Sequence, residues 1–93
     1  MNKKTRERID TAVEVLRGVG AKEVYLFGSA AEDRDTPDSD IDLAVKGIPP
    51  EMFFEAVGMV EMAISENFDI IDLDDPNPFT EFLIRKGKLA RVA

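Results

Sequence analysis

Two aspartates, Asp40 and Asp42, stand two residues apart in the run Asp40-Ile41-Asp42-Leu43-Ala44-Val45. On a strand, alternate residues share a face, so both carboxylates point the same way with Cβ atoms roughly 6–7 Å apart. Side by side they repel, and a divalent cation between them removes the repulsion. Mg²⁺ suits such a pair, because it takes one or two carboxylates and fills its shell with water and phosphate oxygens. Ten residues separate Gly28-Ser29 from Asp40. Glycine lets backbone approach a ligand closely. A helix starting at Ser29 would offer unpaired N–H groups and a positive dipole end to a phosphate, with the Ser29 hydroxyl as a further donor. A metal site beside a phosphate cradle is the equipment for phosphoryl or nucleotidyl transfer, with two ions ~3.5–4 Å apart aligning attacking and leaving oxygens.

Competing chemistries fall away on residue types. The chain has no cysteine and no histidine. Disulfides, thiolate or imidazole metal sites, cysteine nucleophiles and histidine bases are excluded from it, and catalysis rests on carboxylates, hydroxyls, amines or an oxygen-ligated metal. An EF-hand loop starting at Asp38 needs glycine where Leu43 stands and glutamate where Pro49 stands. Aspartyl-phosphate phosphatases and DxD glycosyltransferases usually put the acidic pair after an apolar strand, whereas here the apolar run follows it. Taken alone, Asp40 and Asp42 would be the solvated face of a strand; their spacing from Gly28-Ser29 argues for more.

The elements that must position these residues follow from periodicity. Ile9, Ala12, Val13 and Leu16 make one helical stripe, which predicts a helix over about Asn2 to Gly18, stopped by Gly18 and Gly20. Val24-Tyr25-Leu26-Phe27 reads as a strand buried on both faces. Ser29-Ala30-Ala31-Glu32 fits a capping box and predicts a short helix; Asp33 to Ser39 is a polar loop broken by Pro37. In the next strand Ile41, Leu43 and Val45 share one face and Asp40, Asp42 and Ala44 the other. Pro50 opens a helix to about Glu66 with Phe53, Ala56, Val57, Val60 and Ile64 on its core stripe. Met52, Met59, Met62 and Phe54 read mostly as core, although a Met-rich helix also makes an adaptable binding surface. Phe68 to Leu73 is a third strand, Asp74 to Pro78 a turn, Phe79 to Lys86 a last helix ended by Gly87, and Leu89 to Val92 a short edge strand. The expected architecture is α/β (α+β): a small three- to four-stranded sheet flanked by helices. Which strand pairs are parallel is not decided by the pattern.

Ninety-three residues and 10.3 kDa predict one domain, residues 1–93, with one core. Nineteen acids against twelve bases leave −7. The bases crowd the two ends; from Ile9 to Ile84 there are four bases and eighteen acids, hence −14. Direct duplex DNA binding is not expected of such a body. No apolar run approaches the ~18 residues of a membrane span, and the charged start does not read as a secretory signal. A cytoplasmic protein is expected.

Gly-Ser, ten residues, then Asp-x-Asp is similar to the signature of the DNA polymerase beta nucleotidyltransferase superfamily. The Ser39-Asp40-Ile41-Asp42-Leu43-Ala44 block and the chain length resemble its shortest branch, the minimal nucleotidyltransferases, over nearly the whole chain. The resemblance implies that branch's mixed-sheet fold, with Asp40 and Asp42 holding Mg²⁺ (one ion or two, with Asp42 the bridge) and Asp69, at the start of the third strand, completing the site and helping to activate the acceptor hydroxyl. Asp72 is the fallback for Asp69, on the opposite strand parity. Gly28 and Ser29 would hold the triphosphate of ATP or another nucleotide, with Arg34 a phosphate contact. The implied reaction is nucleotidyl transfer with release of pyrophosphate. The implied partner is a HEPN-domain protein, with this chain as antitoxin, in some cases by transferring AMP to a tyrosine of the toxin; a homodimer is left open. The alternative is a module with a weak or inactive site that neutralises a HEPN toxin by contact. One segment departs from the pattern. Relatives often carry basic residues just after Gly-Ser and a glycine in the loop. Here Ala30-Ala31-Glu32-Asp33-Arg34-Asp35 has one base and three acids that would repel a triphosphate.

Overall fold

A computed structural model describes residues 1–36, 38–64 and 67–93. Its elements are α1 (Lys3–Gly18), β1 (Glu23–Phe27), β2 (Ile41–Lys46), a 3₁₀ turn (Pro50–Met52), α2 (Phe53–Ile64), β3 (Phe68–Asp72), α3 (Pro78–Arg85) and β4 (Ala90–Arg91). The four strands form one mixed sheet in the order β3-β2-β1-β4. β1 pairs antiparallel with β2 and with β4, while β2 and β3 run parallel, joined through α2.

Alternation along β2 divides the sheet into two faces. Ile41, Leu43 and Val45, all fully buried, join Val24, Leu26 and Ile70 beneath α1 and α2. Helix α1 contributes Ile9, Ala12 and Leu16 and is capped by Asn2, whose side chain accepts from the Lys4 and Thr5 N–H groups. Helix α2 contributes Ala56, Val60 and Ile64. On the other face Phe27 and Ala44 pack with Leu73 and with Leu83 of α3. A reciprocal capping box between Asn77 and Thr80 starts α3 and seats Phe79 edge-on to Phe27, ring centroids 5.7 Å apart.

Three expectations are corrected. Residues 29–33 form turns and no helix, so Ser29 caps nothing and Glu32 does not reach back to it. Phe54 and Met62 are each 86% exposed and Met59 43%, so much of the Met/Phe set lies outside the core. Helix α2 turns only one stripe inward, and its neighbours cannot follow. The assigned helix also begins at Phe53, after the 3₁₀ turn; the expected breaker Pro37 and the expected helix end at Glu66 lie outside the described residues.

Candidate functional site

The site is built where β1 ends and where β2 and β3 begin. Antiparallel pairing sets Phe27 opposite Asp42, and parallel pairing sets Asp69 opposite Asp42. Asp42 therefore has a neighbour fixed by backbone hydrogen bonds on each side. Asp40 lies just before β2, on the same side as Asp42 by strand alternation. The three acids chosen from sequence are thus brought to one end of one sheet face. Asp72 is not: it closes β3 opposite Val45, and its carboxylate accepts from the Asp74 N–H at 2.9 Å.

Gly28 fits against this cluster for a steric reason. Its φ is +74°, a region that favours glycine. A Cβ there would lie 2.3 Å from Asp42 Oδ2 and 3.2 Å from its Cγ. The Asp42 carboxylate thus rests directly against the Gly28 backbone, and any side chain at position 28 would push it away.

Burial, and then the Asp69 and Asp40 carboxylates, hold the Asp42 carboxyl above the usual range. The cluster is electrostatically loaded, and a divalent cation would unload it. Hard oxygen donors of like charge fit Mg²⁺, which keeps several waters and relies on substrate phosphates to finish its shell. Among the described residues no set of three acidic side chains closes on a common point as a ready metal cage. Asp40, Asp42 and Asp69 therefore offer a partial donor set.

The second half of the site is the turn after Gly28. Ser29 is half-buried, and its carbonyl accepts from the Glu32 N–H at 3.2 Å and the Arg34 N–H at 2.8 Å, which folds residues 29–34 back on themselves. Asp33 sits at φ +57°, in the left-handed region. A glycine would hold that conformation without the 1–2 kcal/mol or so that a side chain costs there. Asp33 pairs with the Met1 amine, Asp35 accepts from the Asn2 N–H at 2.8 Å, and Thr5 Oγ1 donates to the Thr36 carbonyl at 3.4 Å. The Asn2 N–H holds the Asp35 carboxyl below its usual range. Two of the three acids expected to repel a phosphate are therefore spent on pinning the loop to the start of α1. The third, Glu32, pairs with the Arg34 guanidinium, which draws its carboxyl down, and lies 4.0 Å from Lys88 Nζ.

Lys88 is the residue sequence reasoning missed. It was visible only as one of several bases near the end of the chain; its place beside the turn depends on β4 pairing with β1, which composition does not reveal.

The family model for polymerase beta nucleotidyltransferases matches residues 11–90. The chain belongs to that family. The match spans Gly28, Ser29, Arg34, Asp40, Asp42, Asp69 and Lys88. No curated protein matches the chain. Among solved structures, a toxin-antitoxin complex with AMP-PNP superimposes with a TM-score of 0.68 at 20% identity, over 88% of this chain and 69% of that one. A structure assigned as a minimal nucleotidyltransferase gives a TM-score of 0.68 at 23% identity, over 95% and 90% of the two chains. A tri-AMPylated Shewanella oneidensis HEPN toxin in complex with its MNT antitoxin gives 0.65 at 19% identity, over 94% and 70%. These likenesses establish the nucleotidyltransferase fold, and the mixed four-stranded sheet agrees with it. No helix among the described residues is long and apolar enough to cross a membrane.

Proposed function

We propose that this chain is a minimal nucleotidyltransferase that transfers AMP from ATP, with Mg²⁺, to a hydroxyl of a partner protein, and that the partner is a HEPN-domain toxin it neutralises in the cytoplasm. The observation that carries the reading is the seating of Asp42 against Gly28, with Asp69 in register beside it, in a chain of the polymerase beta family. The toxin-antitoxin complexes among its structural neighbours, one with AMP-PNP and one with an AMPylated HEPN toxin, favour this nucleotide and this partner.

In this reading Asp40, Asp42 and Asp69 hold the metal. When bound, Mg²⁺ neutralises phosphate charge and lowers the pKa of an acceptor hydroxyl. The Gly28-Ser29 backbone lies against the phosphates, close because position 28 has no side chain, and Arg34 contacts a phosphate oxygen. Asp69, exposed at the mouth of the cluster, orients the acceptor hydroxyl and takes its proton. The acceptor oxygen bonds to the α-phosphorus as the bond to the bridging oxygen breaks, and pyrophosphate leaves with that electron pair. The carboxylates bring orientation and charge, and the partner supplies the nucleophile.

Contact-only neutralisation is the second reading. The exposed Phe54 and Met62 side chains favour it, as does the engagement of Arg34 by Glu32. Co-expression with the HEPN partner separates the two. Asp42→Ala is expected to abolish rescue of growth; full rescue by Asp42→Ala, with the protein folded and abundant, would select the contact reading.

A further inference from the structure

We infer that Lys88 and Arg34 form a two-cation clamp for the nucleotide phosphates, and that Glu32 occupies this clamp as an internal competing anion when nucleotide is absent. The inference rests on the nucleotidyltransferase reading above and adds to it a phosphate-binding residue and a built-in brake.

Three placements converge. The Ser29 carbonyl closes the turn that carries Glu32 and Arg34 back to the end of β1. Lys88 arrives at the same end from elsewhere in the chain. Leu26 pairs with Ala90, so the antiparallel register carries Gly28, two residues after Leu26, and Lys88, two residues before Ala90, toward the same sheet end. The Lys88 backbone is fixed there by its N–H donating to the Leu83 carbonyl at 3.0 Å, after a left-handed turn at Gly87. The Glu32 carboxylate then meets one cation with each oxygen: Oε2 the Arg34 guanidinium and Oε1 the Lys88 ammonium at 4.0 Å. Two cations from distant segments facing one anion beside the Gly28-Ser29 turn describe an anion position.

The arrangement is also exchangeable. Arg34, Glu32 and Lys88 are 68%, 45% and 51% exposed. Ion pairs this exposed are weak, so a triphosphate of several negative charges displaces a single carboxylate by side-chain rotation alone. Glu32 then lowers nucleotide affinity and keeps the two cations together against their mutual repulsion until nucleotide arrives.

The test is calorimetric titration of the full chain with ATP and Mg²⁺, comparing Glu32→Gln, Lys88→Met and Lys88→Arg with wild type, and checking folding by circular dichroism. Asp38→Asn removes the same charge from an exposed position of the same loop and serves as the control. Glu32→Gln is expected to tighten binding about two- to fivefold, the range that releasing an exposed ion pair supplies, and by more than Asp38→Asn does. Lys88→Met is expected to weaken it by about the same factor, and Lys88→Arg to restore it. Equal effects of Glu32→Gln and Asp38→Asn would overturn the brake. Unchanged affinity in Lys88→Met, with Asp42→Ala still abolishing AMP transfer, would overturn the clamp and leave the nucleotidyltransferase reading standing. Absence of binding in wild type and every variant would overturn both.

Discussion

The two halves of the site are held by different forces. Asp42 and Asp69 sit on neighbouring strands in a register locked by the sheet and by the buried face of Ile41, Leu43 and Val45 behind it. The turn after Gly28 is held by the Ser29 carbonyl, which accepts two hydrogen bonds, by the Asn2 and Thr5 hydrogen bonds to Asp35 and Thr36, and by surface ion pairs: Met1 with Asp33, Arg34 and Lys88 with Glu32. The first half is rigid because slipping a register by one residue would turn its whole apolar face to water. The second half is adjustable because its charges exchange partners in solvent. A transferase needs both: a fixed place for the reacting centre and a grip that can open.

That contrast predicts a gradient of effects. The largest belongs to Gly28. Gly28→Val adds a branched side chain at φ +74° and drives it into the Asp42 carboxylate. AMP transfer is expected to fall at least about a hundredfold, as misplaced reacting groups do, with a stability loss of about 2 kcal/mol from strain, read by urea denaturation. Near-normal transfer by Gly28→Val would dissolve the distinction between the halves.

An effect on stability alone, with transfer chemistry spared, tests the packing behind the site. Leu43→Ala is expected to cost about 2–5 kcal/mol, the range for a buried leucine, with no direct loss of site chemistry. A cost below 1 kcal/mol or so would mean the sheet is not the rigid half.

Smaller again is the electrostatic load on Asp42. Its folded-state pKa is raised, so between the ordinary carboxylate pKa and the raised one the native state keeps a proton that the unfolded chain has lost. Stability from this group is therefore fully present below the ordinary value and falls as pH rises through the raised one. In metal-free buffer Asp42→Asn is expected to melt a few degrees above wild type at neutral pH, with the gap closing toward pH 4 or so. A wild type more stable than Asp42→Asn at neutral pH would contradict the crowding of carboxylates.

The smallest effect belongs to the pinned loop. Asp33→Gly removes the strain at φ +57° and the Met1 ion pair together. These oppose each other, and the expected change in stability is within about 0.5 kcal/mol. A loss of several kcal/mol would show that the loop is as firmly built as the sheet.

What the sequence revealed follows the same division. The alternation around Asp40 and Asp42, the stripe of Ile9, Ala12 and Leu16, and the glycine at position 28 are local signals, and each reports its own element. The partner of Glu32 is not a local matter. Ser29-Ala30-Ala31-Glu32 has the letters of a capping box, but the Glu32 carboxylate goes to Arg34 and faces Lys88, which is distant in sequence. Asp33 and Asp35 likewise look like obstacles to phosphate until the start of α1 is seen to bind them. Phe54 and Met62 carried the right hydrophobicity for a core and the wrong angle for it. The antiparallel and parallel pairings of β2 were settled only by the folded chain.

In the proposed reaction Asp42, against Gly28 and beside Asp69, is the centre of AMP transfer to a partner protein. The direct measurement combines the purified chain, the HEPN-domain protein proposed as its partner, Mg²⁺ and ATP labelled at the α-phosphate, and follows label on that protein. Label is expected on the partner, lost on removing Mg²⁺ and reduced on the order of a hundredfold or more in Asp42→Ala. Equal labelling by wild type and Asp42→Ala, or a stable complex that never acquires label, would contradict it.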